Sequence, residues 1–248
     1  MHDEDPNQRI SRISTLWSLV FQAHCGPAEA MTSARQQLVK RYGGAILRYL
    51  RKVLQDPDAA DEVFQEFAVR LLDGDLRGAD PQRGRFRDFV KGTLMHLIAD
   101  YRKQQQKWPG PLPDDSSALA ADPGDMKSDR RFEESWRDEL LARAWAGLAE
   151  STTTGQPYYA VLRFRADHPD LRSPQMAEQI AARLGRAFTA AGVRQTLHRA
   201  REKFAGLLLD EVTQSLDRPT AEQLEQEMVE LGLLDYCRPA LQRHGLNA

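Results

Sequence analysis

Apolar residues recur at intervals of three and four along almost the whole chain, and no segment alternates apolar and polar residues over the length of a strand. A period near 3.6 turns one face of a helix inward, whereas a half-buried strand needs a period of two. The expected fold class is therefore all-α. In DAADEVFQEFAVRLL, Ala60, Val63, Phe64, Phe67, Ala68 and Leu71 share one side of a helical wheel, while Asp58, Asp61, Glu62, Gln65 and Glu66 share the other. In VRQTLHRAREKFAGLLLDEV the repeating set is Val193, Leu197, Ala200, Phe204, Leu207 and Leu208. Helices are expected over Ser11–Phe21, about Ala28–Leu54, Asp58–Leu72, Phe86 to about Gln106, and about Asp129–Ala149. Further helices are expected in YYAVLRFRADH, in SPQMAEQIAARL, from Val193 onward, and as one amphipathic helix in the tail TAEQLEQEMVELGLLDY. Gly43-Gly44 weakens the middle of the second helix, and the QDPD break supplies an N-cap for the third.

One stretch has no period at all. WPGPLPDDSSALAADPGDMKS, residues 108–128, is rich in Pro, Gly, Asp and Ser and reads as a flexible linker. It divides the chain into a helical module over 1–107 and a second over 129–216, followed by an acidic helical extension over 217–248. With 248 residues, 41% of them hydrophobic, the chain is long enough to build two small cores.

The formal net charge of −2 points to no class of partner, so the distribution of charge has to be read instead. From Arg83 to Lys107 there are seven Lys or Arg against two Asp, interleaved with Phe86, Phe89 and Tyr101 and followed by Trp108. Cations beside aromatic rings suit single-stranded or melted DNA, whose phosphates meet the charges while its bases stack; the plainer reading makes Phe86 and Phe89 core residues. The acidic face of Asp61, Glu62, Gln65 and Glu66 would repel phosphate. It is either a solvated surface or a docking face for a basic protein.

Further along, Ser173 can cap a helix, Pro174 suits its first turn and Gly185 its end. The turn RAFTAAG then leads into a helix whose polar face carries Arg194, Gln195, His198, Arg199, Arg201 and Lys203. A short helix, a turn and a longer basic helix form the pattern of a helix-turn-helix, in which Arg and Gln reach base edges and further cations reach phosphates. A solvated basic face is the plain alternative.

Cys25 and Cys237 are far apart and show no metal-ligand spacing, so two reduced thiols and no metal or cofactor are expected. No paired carboxylates or nucleophile–base arrangement suggests an enzyme. There is no apolar run of membrane length, and MHDEDPNQ is too acidic for a secretory signal, so a cytoplasmic protein with no membrane partner is expected.

In order, LVKRYGGAILRYLRKVLQDPDAADEVFQEFAVRLL, DPQRGRFRDFVKGTLMHLIADYRK and AEQIAARLG…VRQTLHRAREKF resemble an extracytoplasmic-function (ECF) RNA polymerase sigma factor. The first module is similar to its region 2 and the second to its region 4, over roughly Leu38 to Val212. The resemblance implies core RNA polymerase and promoter DNA as partners, with an anti-sigma factor or another regulator as a further candidate. Asp61, Gln65 and Glu66 would dock on a coiled coil of the β′ subunit, and the protein would also contact the β subunit. Arg83, Arg85, Phe86, Arg87, Lys91, His96, Arg102 and Lys103 would recognise and open the −10 element. Arg194, Gln195, His198, Arg199 and Arg201 would read the −35 element. Phe89 stands where many members have Trp, and Met95-His96 where an Arg-Asn pair is usual. Asp114, Asp115, Asp122 and Asp125 would let the linker mimic nucleic acid in a polymerase channel. The tail after Leu216 exceeds the minimal family and is either a packed cap or a regulatory helix. The rival readings are a helix-turn-helix regulator that binds duplex DNA without polymerase, and a helical interaction protein that binds no DNA.

Overall fold

The computed structural model describes residues 19, 23, 27–73, 85–107, 126–151, 157–216 and 219–243. Among them the fold is all-α, with nine helices and no strand. These are α1 (Ala28–Leu54), α2 (Pro57–Asp73), α3 (Phe86–Lys107), α4 (Met126–Glu150), α5 (Tyr158–Asp167), α6 (Ser173–Leu184), α7 (Ala190–Gln214), α8 (Ala221–Glu230) and α9 (Leu234–Arg243). Apart from Leu19, which is helical, the helix expected over Ser11–Phe21 lies outside the described residues, as do the linker acids Asp114, Asp115, Asp122 and Asp125.

Local chemistry explains several helix ends. Gln55 closes α1 in a left-handed conformation, φ 57°, and its N–H donates to the Arg51 carbonyl. Asp56 then caps α2: its Oδ1 accepts from the N–H of Asp58 at 2.9 Å and of Ala59 at 3.3 Å, while Pro57 fills the first helical position. At α6 the cap is Arg172 rather than Ser173, and the Gln175 side chain accepts the Arg172 N–H at 2.9 Å. Gly185, φ 63°, ends that helix as expected. The turn after it is shorter than RAFTAAG, because Thr189 starts α7 three residues early: its Oγ1 accepts the Gly192 N–H at 3.0 Å. The tail forms two helices, not one. Thr220 and Gln223 make a reciprocal capping box at 3.2 and 2.9 Å, and Gly232 at φ 65° ends α8, with the Leu233 N–H donating to the Met228 carbonyl.

The chain forms two compact units, 1–139 with 213–227 and 140–212 with 228–248. This division differs from the expected break over 108–128. Met126–Ser128 are already helical, and α4 gives its first half to the first unit because its aromatics belong in that core. Trp136 stacks on Tyr42 at 4.7 Å and 8°, and Phe132 meets Tyr49 edge-on at 5.2 Å. Ser128 is buried and shares a 2.8 Å hydrogen bond with the Tyr49 hydroxyl. Around these pack Leu38, Ile46 and Leu50 of α1, Val63 and Phe67 of α2, and Val90, Leu94 and Ile98 of α3. Gly43 serves this core rather than merely weakening α1: a Cβ there would come within 3.1 Å of the Phe64 ring.

The second unit is built on Trp145, which lies 4.6 Å from Phe204 and edge-on to Tyr159 at 5.9 Å. Phe204 in turn meets Tyr236 at 5.7 Å. The Arg143 guanidinium donates to the Glu211 carboxylate at 2.7 Å, tying α4 to α7. Among the described residues no helix is long and apolar enough to cross a membrane.

Candidate functional site

In the first unit the apolar stripe of α2 turns inward on Ala60, Val63, Phe67 and Leu71, so its acids are left facing solvent. Glu62, Gln65 and Glu66 are exposed, and the Asp61 side chain is 50% exposed. Asp61 accepts from Arg51 at 3.3 Å and Glu66 from Arg70 at 2.8 Å. Exposed pairs of this kind contribute about 0–1 kcal/mol, so a partner can displace them at little cost. Beside this face a cleft of about 380 Å³ runs between α2 and α3, with Glu62, Glu66, exposed Val69, Leu97 and Tyr101 in its walls. The cleft joins carboxylates to an apolar floor, which suits a helix carrying both basic and apolar side chains. The Tyr101 hydroxyl has a raised pKa, chiefly through burial, and stays a neutral donor and acceptor at its wall.

Much of the basic segment is engaged within the first unit. Phe86 is a core residue, 2% exposed and tilted against Tyr42 at 5.8 Å. Arg87 is also buried, and its Nη2 donates to Glu227 at 3.2 Å. Arg85 donates to Asp88 at 2.9 Å and to Glu227 at 2.7 Å, and Lys91 pairs with Asp129 at 2.7 Å. In this structure, then, Phe86 and Arg87 offer no surface to nucleic acid, and Arg85 and Lys91 are already engaged by carboxylates. Helix geometry accounts for the burial: in α3, positions 86, 90, 94 and 97 form the inward stripe, and position 87 lies at its margin. His96 and Lys103 remain exposed and Arg102 is half-buried, the three lying along the later turns of α3. Arg83 lies outside the described residues. Neither Glu227 nor Asp129 stands out in the sequence: the acidity of the tail points to Glu227 only in general terms, and no local pattern points to Asp129.

Residues 38–107 match sigma-70 region 2. The match covers well under half of the chain and runs from within α1 through α2 and α3. It supports a sigma-factor role in polymerase-directed transcription initiation, with core RNA polymerase and promoter DNA as partners. No curated protein and no solved structure matches the chain. The region 2 segment therefore contains the acidic face, the cleft and the basic helix, whereas Asp129 and Glu227 belong to sequence outside it.

The second unit holds the other basic set. Val193, Leu197, Ala200 and Phe204 turn α7 into the core, and Arg194, Gln195, His198, Arg199 and Arg201 are all exposed, the first four away from that stripe and Arg201 at its flank. These five lie within about two turns of α7. His198 lies 3.8 Å from Glu202, which also takes an ion pair from Arg243. Arg201 borders an apolar cavity of about 350 Å³ whose walls include Trp145, Leu162, Phe204 and Tyr236.

Proposed function

We propose that the protein is an ECF-type sigma factor. In this reading the acidic face of α2, with Asp61, Gln65 and Glu66, docks on the β′ coiled coil of core RNA polymerase. The later turns of α3, with His96, Arg102 and Lys103, meet the −10 element together with Arg83, joined by Arg85, Arg87 and Lys91 when the carboxylates that hold these three let go. The α6–α7 pair acts as a helix-turn-helix, with Arg194, Gln195, His198, Arg199 and Arg201 directed at the −35 element. No chemical step is required of the protein, since opening would be driven by binding free energy as extruded bases are captured.

The observation that carries the reading is the region 2 match over 38–107 together with the exposed acidic face of α2 within it. A duplex-binding regulator has no use for that face. The test is to reconstitute the purified chain with its host's core polymerase on fragmented genomic DNA and map the 5′ ends of the transcripts. Discrete starts that require the protein are expected, and Asp61→Lys combined with Glu66→Lys should abolish them and weaken core binding at least about tenfold, as like charges come to face the partner. Sequence-specific duplex binding with no affinity for core would instead establish the regulator.

A further inference from the structure

Arg85 and Arg87 stand at the start of α3, in the segment assigned above to DNA, yet one carboxylate holds both. Glu227 Oε2 accepts from Arg85 Nη1 at 2.7 Å and from Arg87 Nη2 at 3.2 Å. The side chains of Glu227 and Arg87 are 1% and 4% exposed, so the contact is dry. Glu227 comes from α8, whose ten residues include four Glu and no Lys or Arg. A second outside carboxylate, Asp129 at the first turn of α4, holds Lys91. Three cations of the region 2 segment are therefore engaged by acids contributed from beyond residue 107.

A carboxylate oxygen shared by two guanidiniums has the charge and geometry of a DNA phosphate oxygen. Removing both partners from water costs nearly as much as their attraction returns, so such a pair adds little net stability. The arginines can accordingly exchange Glu227 for phosphate, one anion for another. We propose that Glu227 is an internal phosphate mimic, and that α8 is an autoinhibitory latch which must withdraw before Arg85 and Arg87 can bind DNA. The proposal rests on the DNA-binding reading of α3.

Glu227→Gln keeps the shape and removes the charge. Its binding to a labelled single-stranded DNA of mixed sequence, without polymerase, is expected to be about tenfold tighter than that of the parent protein. Its salt dependence should also steepen by about 1.4, for two phosphates gained on a single strand. Adding Arg85→Ala and Arg87→Ala to Glu227→Gln should erase the gain. In the parent protein, hydrogen exchange across Ala221–Glu230 is expected to accelerate on binding DNA, a readout that holds even if the variant folds poorly. Unchanged or weaker DNA binding by a folded Glu227→Gln, or α8 protection unchanged by DNA, would overturn the latch. Loss of core binding and of specific starts in the parent protein would instead overturn the sigma-factor reading, and the polymerase-free measurements would still judge the latch.

Discussion

Trp136 shows how one side chain decides where a segment belongs. Its indole is 1% exposed, stacked on Tyr42 and tilted against Phe132 at 5.8 Å. Trp136→Ala is expected to cost about 3–5 kcal/mol, the range for emptying a large aromatic site in a core. Trp136→Phe keeps a ring on Tyr42 and should cost markedly less; urea denaturation followed by circular dichroism measures both. Gly43 is the small counterpart. Sequence rules count it as a helix weakness, but its missing Cβ leaves room for Phe64, a contact set by the approach of α1 to α2. The sequence marked Asp61, Gln65 and Glu66 as surface residues because the apolar stripe of α2 lay opposite them. It could not mark Arg87 as buried, because a chain rarely buries an arginine without a partner, and the partner here is 140 residues away.

Among the elements, α7 is the one whose function and packing separate most cleanly. Val193, Leu197, Ala200, Phe204 and Leu208 anchor it, and the five polar residues expected to face DNA lie outside that stripe. Arg194→Glu with Arg199→Glu should therefore leave the thermal melting point nearly unchanged. It should weaken binding to promoter duplex about a hundredfold or more, at roughly 1–3 kcal/mol for each lost contact, as a duplex titration at fixed salt would read. Equal binding by the variant would sink the proposed role of α7. Cap chemistry was largely legible in α2 and in the end of α6, where Asp-Pro and Gly act within a few residues. At α6 and α7 the starts differ from the sequence expectation: Arg172 and Thr189 cap the helices that Ser173 and Val193 are expected to open. The apolar spacing of the tail runs on through Leu231 and so predicts a single helix. The left-handed turn at Gly232 interrupts it and redirects the chain into α9.

For the whole molecule, the buried Cys237 predicts an alkaline limit to stability. Cys237 is fully buried, and burial pushes its thiol from 9.0 up to about 12. The thiol loses its proton earlier in the unfolded chain than in the folded one. The stability this represents is fully present below the unfolded value and is lost as pH climbs through the folded one. The unfolding free energy from urea titration should hold steady to about pH 9 and then fall by about 1.4 kcal/mol per pH unit, the midpoint falling with it. Cys237→Ala should flatten the first part of that decline, and a midpoint equally sensitive to pH in the variant would refute the assignment. The same burial predicts that a maleimide labels Cys237 only after unfolding.

The sequence alone determined the helical class, most helix positions and the acidic face of α2, because apolar periodicity and local capping act over a few residues. It also marked the exposed basic face of α7, since a face opposite a strong apolar stripe must be wet. What tertiary structure decided was which distant partners meet. Phe132 and Trp136 carry half of α4 into the first unit across the expected linker boundary. Glu227 reaches back to Arg85 and Arg87, and Asp129 to Lys91. Those choices follow from burying aromatic surface and from pairing every buried charge, and both depend on packing between segments that no local pattern encodes.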